Sequence, residues 1–459
     1  MLVRFNVGNF LSFNSIQEFS MIGGKVKSKT HHIENDGDVK LLKFGAIFGA
    51  NASGKSNLIK AINFAHSVII NGMDSSFSNS HFRLDDTNIN KPSYFEFEIK
   101  IGDKFFAYGF EILLSKNELV SEWLHEISPS KSIVIFERDL TNKTYRSDLK
   151  LNKPSIKNRM EVYSEDLKTQ SSILFLNEMN RNKDELYKEK SALTSIKDVY
   201  DWFKIYLDIN YPARPVSDYS YFYNELDTEK TCKIIKAFGT GITNFNIINT
   251  SIEEATEFFP KQLIKKLEND INKMVLNRKS NKPEVFAGIT LRVNENIFII
   301  SVNDNFETEV KTIVFEHGKK GTIFKFSEES DGTRRILDLI EILMTDNGER
   351  VYVIDEIDRS LHPQLTYKFI ETFLNMSKER KNQLIVTTHE SRLLDFDLLR
   401  RDEIWFVDKN EKGESSIYSL EAYNERFDKK IDKAYLEGRY GGVPIFSAIF
   451  PVKGESKCE

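Results

Sequence analysis

The sequence predicts an α/β fold whose core is a mixed, largely parallel sheet, with antiparallel strands at the N-terminal end and a helical insertion. Three observations carry this reading. The apolar run Phe44-Gly45-Ala46-Ile47-Phe48 leads into the glycine-rich loop GANASGKSN, and then Leu58, Ile59, Ile62 and Ala65 recur at helical spacing. A second run, VYVI, ends in the adjacent acids Asp355 and Glu356. Two further runs, in QLIVTTHES and DEIWFVDK, alternate with helical patterns, as a parallel sheet requires.

Each element follows in order. LVRFNVGNFLSF reads as an opening strand and turn, and residues 41–70 form the strand–loop–helix unit. FEFEIKIGDKFFAYGFEILL alternates in polarity around a Gly-Asp turn, which predicts a hairpin, and SIVIFERD adds a strand. From about residue 140 to 285, Lys, Glu and Asn dominate, and SALTSIKDVYDWFKIYL, EKTCKIIKAFGTGI and FPKQLIKKLENDINKMVL read as helices. Strands return in ITLRVNENIFIISVNDNFETEVKTIVFEH, and GTRRILDLIEILM places Ile336, Leu339, Ile340 and Leu343 on one helix face. The expected organisation is an N-terminal lobe over 1–139, a mainly helical insertion over 140–285 and a C-terminal lobe over 286–459.

Composition narrows the class. At 459 residues two structural lobes are expected, and 40% hydrophobic with 29% charged residues describes an ordinary globular chain. A net charge of −5 advertises no overall affinity for nucleic acid, so any such binding needs a local patch. The 35 phenylalanines point to a Phe-rich core. Two cysteines, Cys232 and Cys458, exclude a disulfide scaffold and a cysteine-rich metal site. Neither a signal peptide nor a membrane span is apparent, so the expected location is the cytoplasm.

The loop fits G-x-x-x-x-G-K-[ST] at every required place, which makes Gly49, Ala50, Asn51, Ala52, Ser53, Gly54, Lys55, Ser56 and Asn57 the candidate nucleotide-binding segment. Gly49 and Gly54 permit backbone angles that a Cβ obstructs, so successive N–H groups can turn toward one anion. Lys55 adds charge for the β- and γ-phosphates, and the Ser56 hydroxyl is a hard oxygen suited to Mg²⁺. An acid closing a buried strand in such a fold, here Asp355, is where Mg²⁺ is held together with Ser56. Glu356, the next acid, is placed to polarise an attacking water, help worth about 10²–10⁴ in rate. His389 follows an apolar strand and is placed to sense a γ-phosphate.

In order, the glycine loop, a long insertion, SEESDGTRR, VIDEIDRSLHP and TTHES resemble the ABC-type ATPases of the SMC, RecF and OLD group, and NFLSF resembles that group's N-terminal motif. The resemblance covers roughly 1–135 and 286–420. It implies an ABC-type P-loop NTPase core that binds ATP with Mg²⁺ and hydrolyses it through Glu356, with His389 as switch histidine. It also implies that Glu329–Thr333 takes the place of the signature, so that Ser330 and Gly332 touch the γ-phosphate held by a partner copy in a homodimer or higher oligomer. Arg359–His362 stands at the D-loop, where His362 replaces the usual Asp. No sustained heptads mark the insertion, so a compact helical lobe is expected in place of a coiled coil.

Other features weigh less. Asp395 and Asp397 resemble the acids of a Toprim nuclease, but they fall where a connecting helix is expected, and too little chain follows His389 for such a domain; no nuclease activity is expected. His31-His32 lacks a third metal ligand and reads as surface histidines. KKLENDINKMVLNRKSNK is basic enough to touch DNA or RNA, although a solvated helix face is the simpler reading. YLEGRYGGVPIF, with Gly438, Gly441, Gly442 and Pro444, reads as an ordered, turn-rich tail. The resemblance implies a stand-alone ATPase of bacterial anti-phage type that holds or releases a separately encoded effector nuclease. The rival expectation is a RecF-like repair ATPase that clamps on DNA.

Overall fold

The strand Phe44–Phe48 is apolar throughout and buried at all five positions, as a strand covered on both faces must be. It lies inside a six-stranded sheet whose order is Leu207–Asn210, Val351–Ile354, Gln383–Thr387, Phe44–Phe48, Ile404–Lys409 and Ser415–Ser419. The first five strands pair in parallel, and only Ser415–Ser419 runs antiparallel to its neighbour. This is a computed structural model. It describes residues 1–422 apart from 37–38, 129–130, 152, 189–190, 212–227, 258, 280–288, 294, 304, 319–320 and 345–347, together with Tyr435. Apart from Tyr435, the glycine-rich tail lies outside the described residues, as do Cys458 and the last three residues of the basic stretch 265–282.

The chain packs as two units: Met1–Tyr211 with Asn347–Ile357 and Leu374–Glu459, and Pro212–Asp346 with Asp358–Phe373. In the first unit a seven-stranded antiparallel sheet accompanies the parallel one, in the order Thr144–Arg146, Ser132–Asp139, Glu118–Ile127, Lys104–Leu113, Ser93–Ile101, Leu2–Gly8 and Gln17–Ser20. The expected hairpin is two of these strands, joined at Gly102, whose φ of 55° suits a tight turn. Alternation sets the faces: Phe95, Phe97 and Ile99 are buried, while Tyr94, Glu96 and Glu98 are not.

The phenylalanines do form the core. Phe10 stacks on Phe64 of the helix Lys55–Asn71 at 5.2 Å, Phe64 meets Phe95 at 5.1 Å, and Phe5 meets Phe97 at 4.6 Å. Each buried ring contributes roughly 1.5–3 kcal/mol through the area it removes from water. Gln383 joins the layers with its side-chain amide, accepting from Leu2 N–H at 2.6 Å and donating to the carbonyls of Leu2 and Leu42 at 3.0 and 2.8 Å.

The segment 140–285 contributes to both units. The helices Pro154–Leu167, Phe175–Asn180 and Thr194–Asp201 bury Leu167, Phe175, Leu176 and Val199 in the first unit's core. The π-helical turn Trp202–Tyr206 adds Phe203, 5.0 Å from Phe97, and then leads into the edge strand Leu207–Asn210. The second unit holds the antiparallel order Ile242–Thr250, Thr308–His317, Asn296–Val302, Ile289–Val293, with Thr322–Lys325 also pairing to Thr308–His317. The helix Lys261–Lys279 covers one face through Leu267, against Phe298, Ile300 and Val310, and leaves Lys265, Lys266 and Lys273 exposed.

Two expectations are corrected. No α-helix connects His389 to the strand Ile404–Lys409; the short 3-10 turns Ser391–Leu393 and Arg401–Glu403 do, and Asp395 caps the N–H of Asp397 at 2.8 Å. His32 is not a surface histidine: it is 2% exposed, and its Nδ1 lies 2.8 Å from the buried Glu403 carboxyl. Burial, with Arg400 nearby, pushes the His32 imidazole down to about 3, and burial pushes the Glu403 carboxyl up. Burial thus disfavours the charged form of both partners of this hydrogen bond. Among the described residues no group of three His, Cys, Asp or Glu is arranged to hold a metal, and no helix is long and apolar enough to cross a membrane.

A buried ion pair anchors residues 167–176. Arg138 and Glu122 have side chains that are 0% exposed, with Arg138 Nη2 2.7 Å from Glu122 Oε2. Glu122 also accepts from Tyr108 at 3.0 Å and from the N–H groups of Phe175 and Leu176 at 2.7 and 3.0 Å, capping that short helix. Arg138 donates in turn to the carbonyls of Leu167, Gln170 and Ile173. Breaking one half strands the other charge, so Arg138→Ala should cost about 3–5 kcal/mol in denaturant unfolding. Lys104→Ala, which removes the exposed pair to Glu126, should cost no more than about 1 kcal/mol. Equal effects of the two substitutions would show that the buried pair is no anchor.

Candidate functional site

The strand Phe44–Phe48 ends where the glycine loop begins, and the helix Lys55–Asn71 follows at once. Gly54 caps that helix with φ 119°, a left-handed angle that L side chains rarely adopt, and Ala52 also has positive φ, at 62°. Space demands glycine here as well. A Cβ on Gly49 would strike the carbonyl of Val407, and one on Gly54 would strike Ser415 Oγ and come within 2.9 Å of Ser12 Oγ. The loop is thus pressed onto the neighbouring strands Ile404–Lys409 and Ser415–Ser419.

Hydroxyl groups fix it from beneath. Ser415 Oγ donates to the carbonyl of Ser53 at 2.5 Å and lies 2.8 Å from Ser12 Oγ, which also accepts from Asn57 Nδ2 at 2.8 Å. Ser12 is the serine of NFLSF, so that motif reaches the loop directly. Asn9 of the same motif donates to the carbonyls of Asn88 and Lys91 at 3.0 and 2.9 Å, and Phe10 stacks on Phe64. Sequence reasoning assigned no role to Ser415; a serine at the start of an edge strand gives no signal until the strand order is known.

The charged groups converge above. Lys55 is 5% exposed, and its Nζ donates to the carbonyls of Gly49 and Ala50 at 2.8 and 2.9 Å, folding back over its own loop. Ala50, Asn51 and Ala52 are open to solvent in part or wholly, while Ser53 is buried. Strand register sets Ile354 beside Val386 and Val386 beside Ala46, so the next residues, Asp355 and Thr387, emerge side by side. Ser56 Oγ donates to Asp355 Oδ1 at 3.1 Å, and Thr387 Oγ1 donates to the same oxygen at 2.6 Å. Asp355 is 4% exposed, and its N–H donates to the Asn210 carbonyl at 3.0 Å. Glu356 is half-buried with φ 51°, a left-handed backbone that costs a non-glycine residue about 1–3 kcal/mol. Its N–H donates to Thr387 Oγ1 at 2.8 Å. His389 is exposed, in a turn where Thr388 Oγ1 accepts from Glu390 N–H at 3.0 Å.

The donor set fits Mg²⁺. Adjacent ligands of an octahedral ion at about 2.1 Å are about 3.0 Å apart, and the Ser56 and Asp355 oxygens have that spacing. Both are hard oxygens of the kind that Mg²⁺ takes.

The expected signature residues fall in the second unit. Ser330 is exposed and caps the helix Asp331–Met344 by accepting from Thr333 N–H at 3.1 Å. A Cβ on Gly332 would sit 3.0 Å from the Ser360 carbonyl, so the glycine lets the helix start pack against the Arg359–His362 turn. Glu329 is held by His317 Nε2 at 2.6 Å, and His362 Nδ1 accepts from Gln364 N–H at 3.3 Å.

No curated protein matches the chain. Among solved structures the chain is similar to an SMC head bound to the C-terminal winged-helix domain of ScpA, at 15% identity over 92% of this chain and 98% of that one, with a TM-score of 0.43. It is also similar to the SMC head domain from Thermotoga maritima, at 13% identity, 91% and 98% coverage, and a TM-score of 0.32. A third likeness is to the Pyrococcus furiosus Smc head with an extended coiled coil, bound to the C-terminal domain of ScpA, at 15% identity, 95% and 99% coverage, and a TM-score of 0.34. Residues 44–395, which hold the glycine loop, Asp355, Glu356 and His389, match the family described as "AAA domain, putative AbiEii toxin, Type IV TA system", and the chain belongs to that family.

Proposed function

We propose that this chain binds ATP with Mg²⁺ and hydrolyses it, and that two copies close around two nucleotides. The observation that carries the reading is the meeting of Ser56, Asp355, Thr387 and Glu356 at one end of the parallel sheet, directly beside the glycine loop. The loop N–H groups and Lys55 bind the phosphates. Ser56 and Asp355 would hold Mg²⁺, which supplies neutralising charge to the phosphate oxygens. Glu356 orients the attacking water and takes its proton, and His389, exposed just past the end of the neighbouring strand Gln383–Thr387, contacts the γ-phosphate end. Ser330 and Gly332 of a second copy complete each site from outside: the start of the helix Asp331–Met344 offers free N–H groups to an anion.

The output of such an enzyme is conformational. ATP favours the closed pair and hydrolysis releases it, so a separately encoded effector can be held in one state and freed in the other. A role in bacterial anti-phage defence accords with the motif order and with a family description that names a toxin–antitoxin system.

Three outcomes test this reading. Lys55→Ala should abolish tight binding of Mg–ATP, because the β- and γ-phosphates lose their main cation; wild-type affinity by equilibrium titration would remove the loop from the site. Glu356→Gln should still bind ATP but turn over at least about 10²-fold more slowly and accumulate the closed pair, as read by steady-state hydrolysis and light scattering. Unchanged turnover would dismiss Glu356 as the base. Lys55→Ala and Ser330→Arg should each be inactive alone. A mixed pair of the two carries one doubly defective site and one intact site, so mixing differently tagged proteins should restore nucleotide-driven closure. Verified mixed pairs that fail to bind ATP at the intact site would sink the shared-site arrangement.

A further inference from the structure

Thr387 closes the strand Gln383–Thr387 directly after Leu384, Ile385 and Val386, which are apolar and wholly buried, and it is itself 0% exposed. Valine has the same shape and suits such a strand without bringing a polar atom inside. A buried hydroxyl persists without cost only where it is hydrogen-bonded. Here both of its capacities are used, and both are used on the acidic turn. The hydroxyl donates to Asp355 Oδ1 at 2.6 Å and accepts the N–H of Glu356 at 2.8 Å. The Thr387 carbonyl accepts the N–H of Ile357 at 3.1 Å. One residue thereby holds three in succession: the carboxylate of Asp355, the peptide of Glu356 in its left-handed conformation, and the peptide that follows.

We propose that Thr387 is a positioning residue that ties the metal-side carboxylate of Asp355 to the backbone of Glu356, so that the two acids are set as one unit. The inference rests on the reading of Asp355 and Glu356 given above. The carboxylate of Asp355 has one oxygen shared by Ser56 and Thr387; with Thr387 donating from the sheet side, the group stays aimed at Ser56 whether or not the serine turns to another partner. The same hydroxyl anchors Glu356 at its N–H, which fixes the point from which the glutamate side chain departs. A rotation of Asp355 and a shift of Glu356 then cannot occur independently. Thr388, the next residue, turns its hydroxyl the other way, to the N–H of Glu390, so the adjacent threonines divide the acidic turn and the histidine turn between them.

The test uses the full chain with Thr387→Val, which keeps the shape and removes both hydrogen bonds, and Thr387→Ser, which keeps the hydroxyl. Three quantities are read: the Mg²⁺ concentration needed to tighten binding of a fluorescent, non-hydrolysable ATP analogue; hydrogen exchange of residues 354–358 without nucleotide; and kcat with KM. Groups that orient a metal ligand cost about 10–100-fold in metal affinity or activity when removed, and Thr387→Val should raise the Mg²⁺ requirement and lower kcat within that range. Its 354–358 amides should exchange faster, its binding of the analogue in EDTA should match wild type, and Thr387→Ser should return all three quantities toward wild type. Thr387→Ala reads the same quantities if valine crowds the strand. Wild-type Mg²⁺ dependence and exchange in Thr387→Val overturn the inference, and so does an equal loss of binding in EDTA, which would mark general damage to the loop. If Glu356→Gln stalls turnover while Thr387→Val does not, only the role of Thr387 falls. If Glu356→Gln hydrolyses normally, the assignment of the base falls, while Mg²⁺ dependence and exchange still report on Thr387.

Discussion

Parallel pairing levels Ile354, Val386 and Ala46 across three strands that are buried along their whole length, and the chemistry at their ends inherits that alignment. Because side chains alternate between faces, slipping any one strand by a single residue would turn its terminal polar group away from its neighbours. The apolar residues inside the sheet prevent such a slip, since each slipped register would also expose an apolar side chain of the core. The alignment that sets Ser56, Asp355 and Thr387 within hydrogen-bonding distance is therefore enforced by residues that never touch them.

A second layer holds the loop. The antiparallel sheet supplies Phe95, the NFLSF turn supplies Phe10, and both rings pack on Phe64 of the helix Lys55–Asn71. The same turn sends Ser12 beneath the loop to meet Ser415 and Asn57. Aromatic packing thus fixes the helix while small hydroxyls fix the loop, a division suited to a segment that must be both closely seated and free of bulky side chains.

Much of this was legible in the sequence because it rests on local pattern. The run before Gly49, the run before Asp355 and the hairpin around Gly102 announce themselves by apolar content or by alternation. What stayed hidden depends on partners distant in the chain. The strand Leu207–Asn210 is four residues long and follows a helical stretch, so nothing local marks it as the edge of the core sheet. His32 looks like a surface residue until Glu403, remote in sequence, folds onto it. Thr387 reads as one more β-branched strand residue, and Ser415 as a loop serine. The stretch around Asp395 reads as a helix because a crossover usually needs one; here short 3-10 turns suffice.

The back-folded Lys55 has a consequence for selectivity. With its ammonium on the carbonyls of Gly49 and Ala50, Lys55 is already hydrogen-bonded, and a ligand that takes the ammonium does so by exchanging partners. An anionic oxygen adds the attraction of opposite charges to the bond from the ammonium, so the exchange favours anions over neutral polar molecules. On that proposed function, a chain of phosphates would replace these bonds and engage the loop N–H groups in the same event, which an anion with a single contact would not. On the function proposed above, the lysine would act as a threshold: it keeps the loop in shape and would discriminate by the number of charged oxygens presented together, before any base or sugar is read.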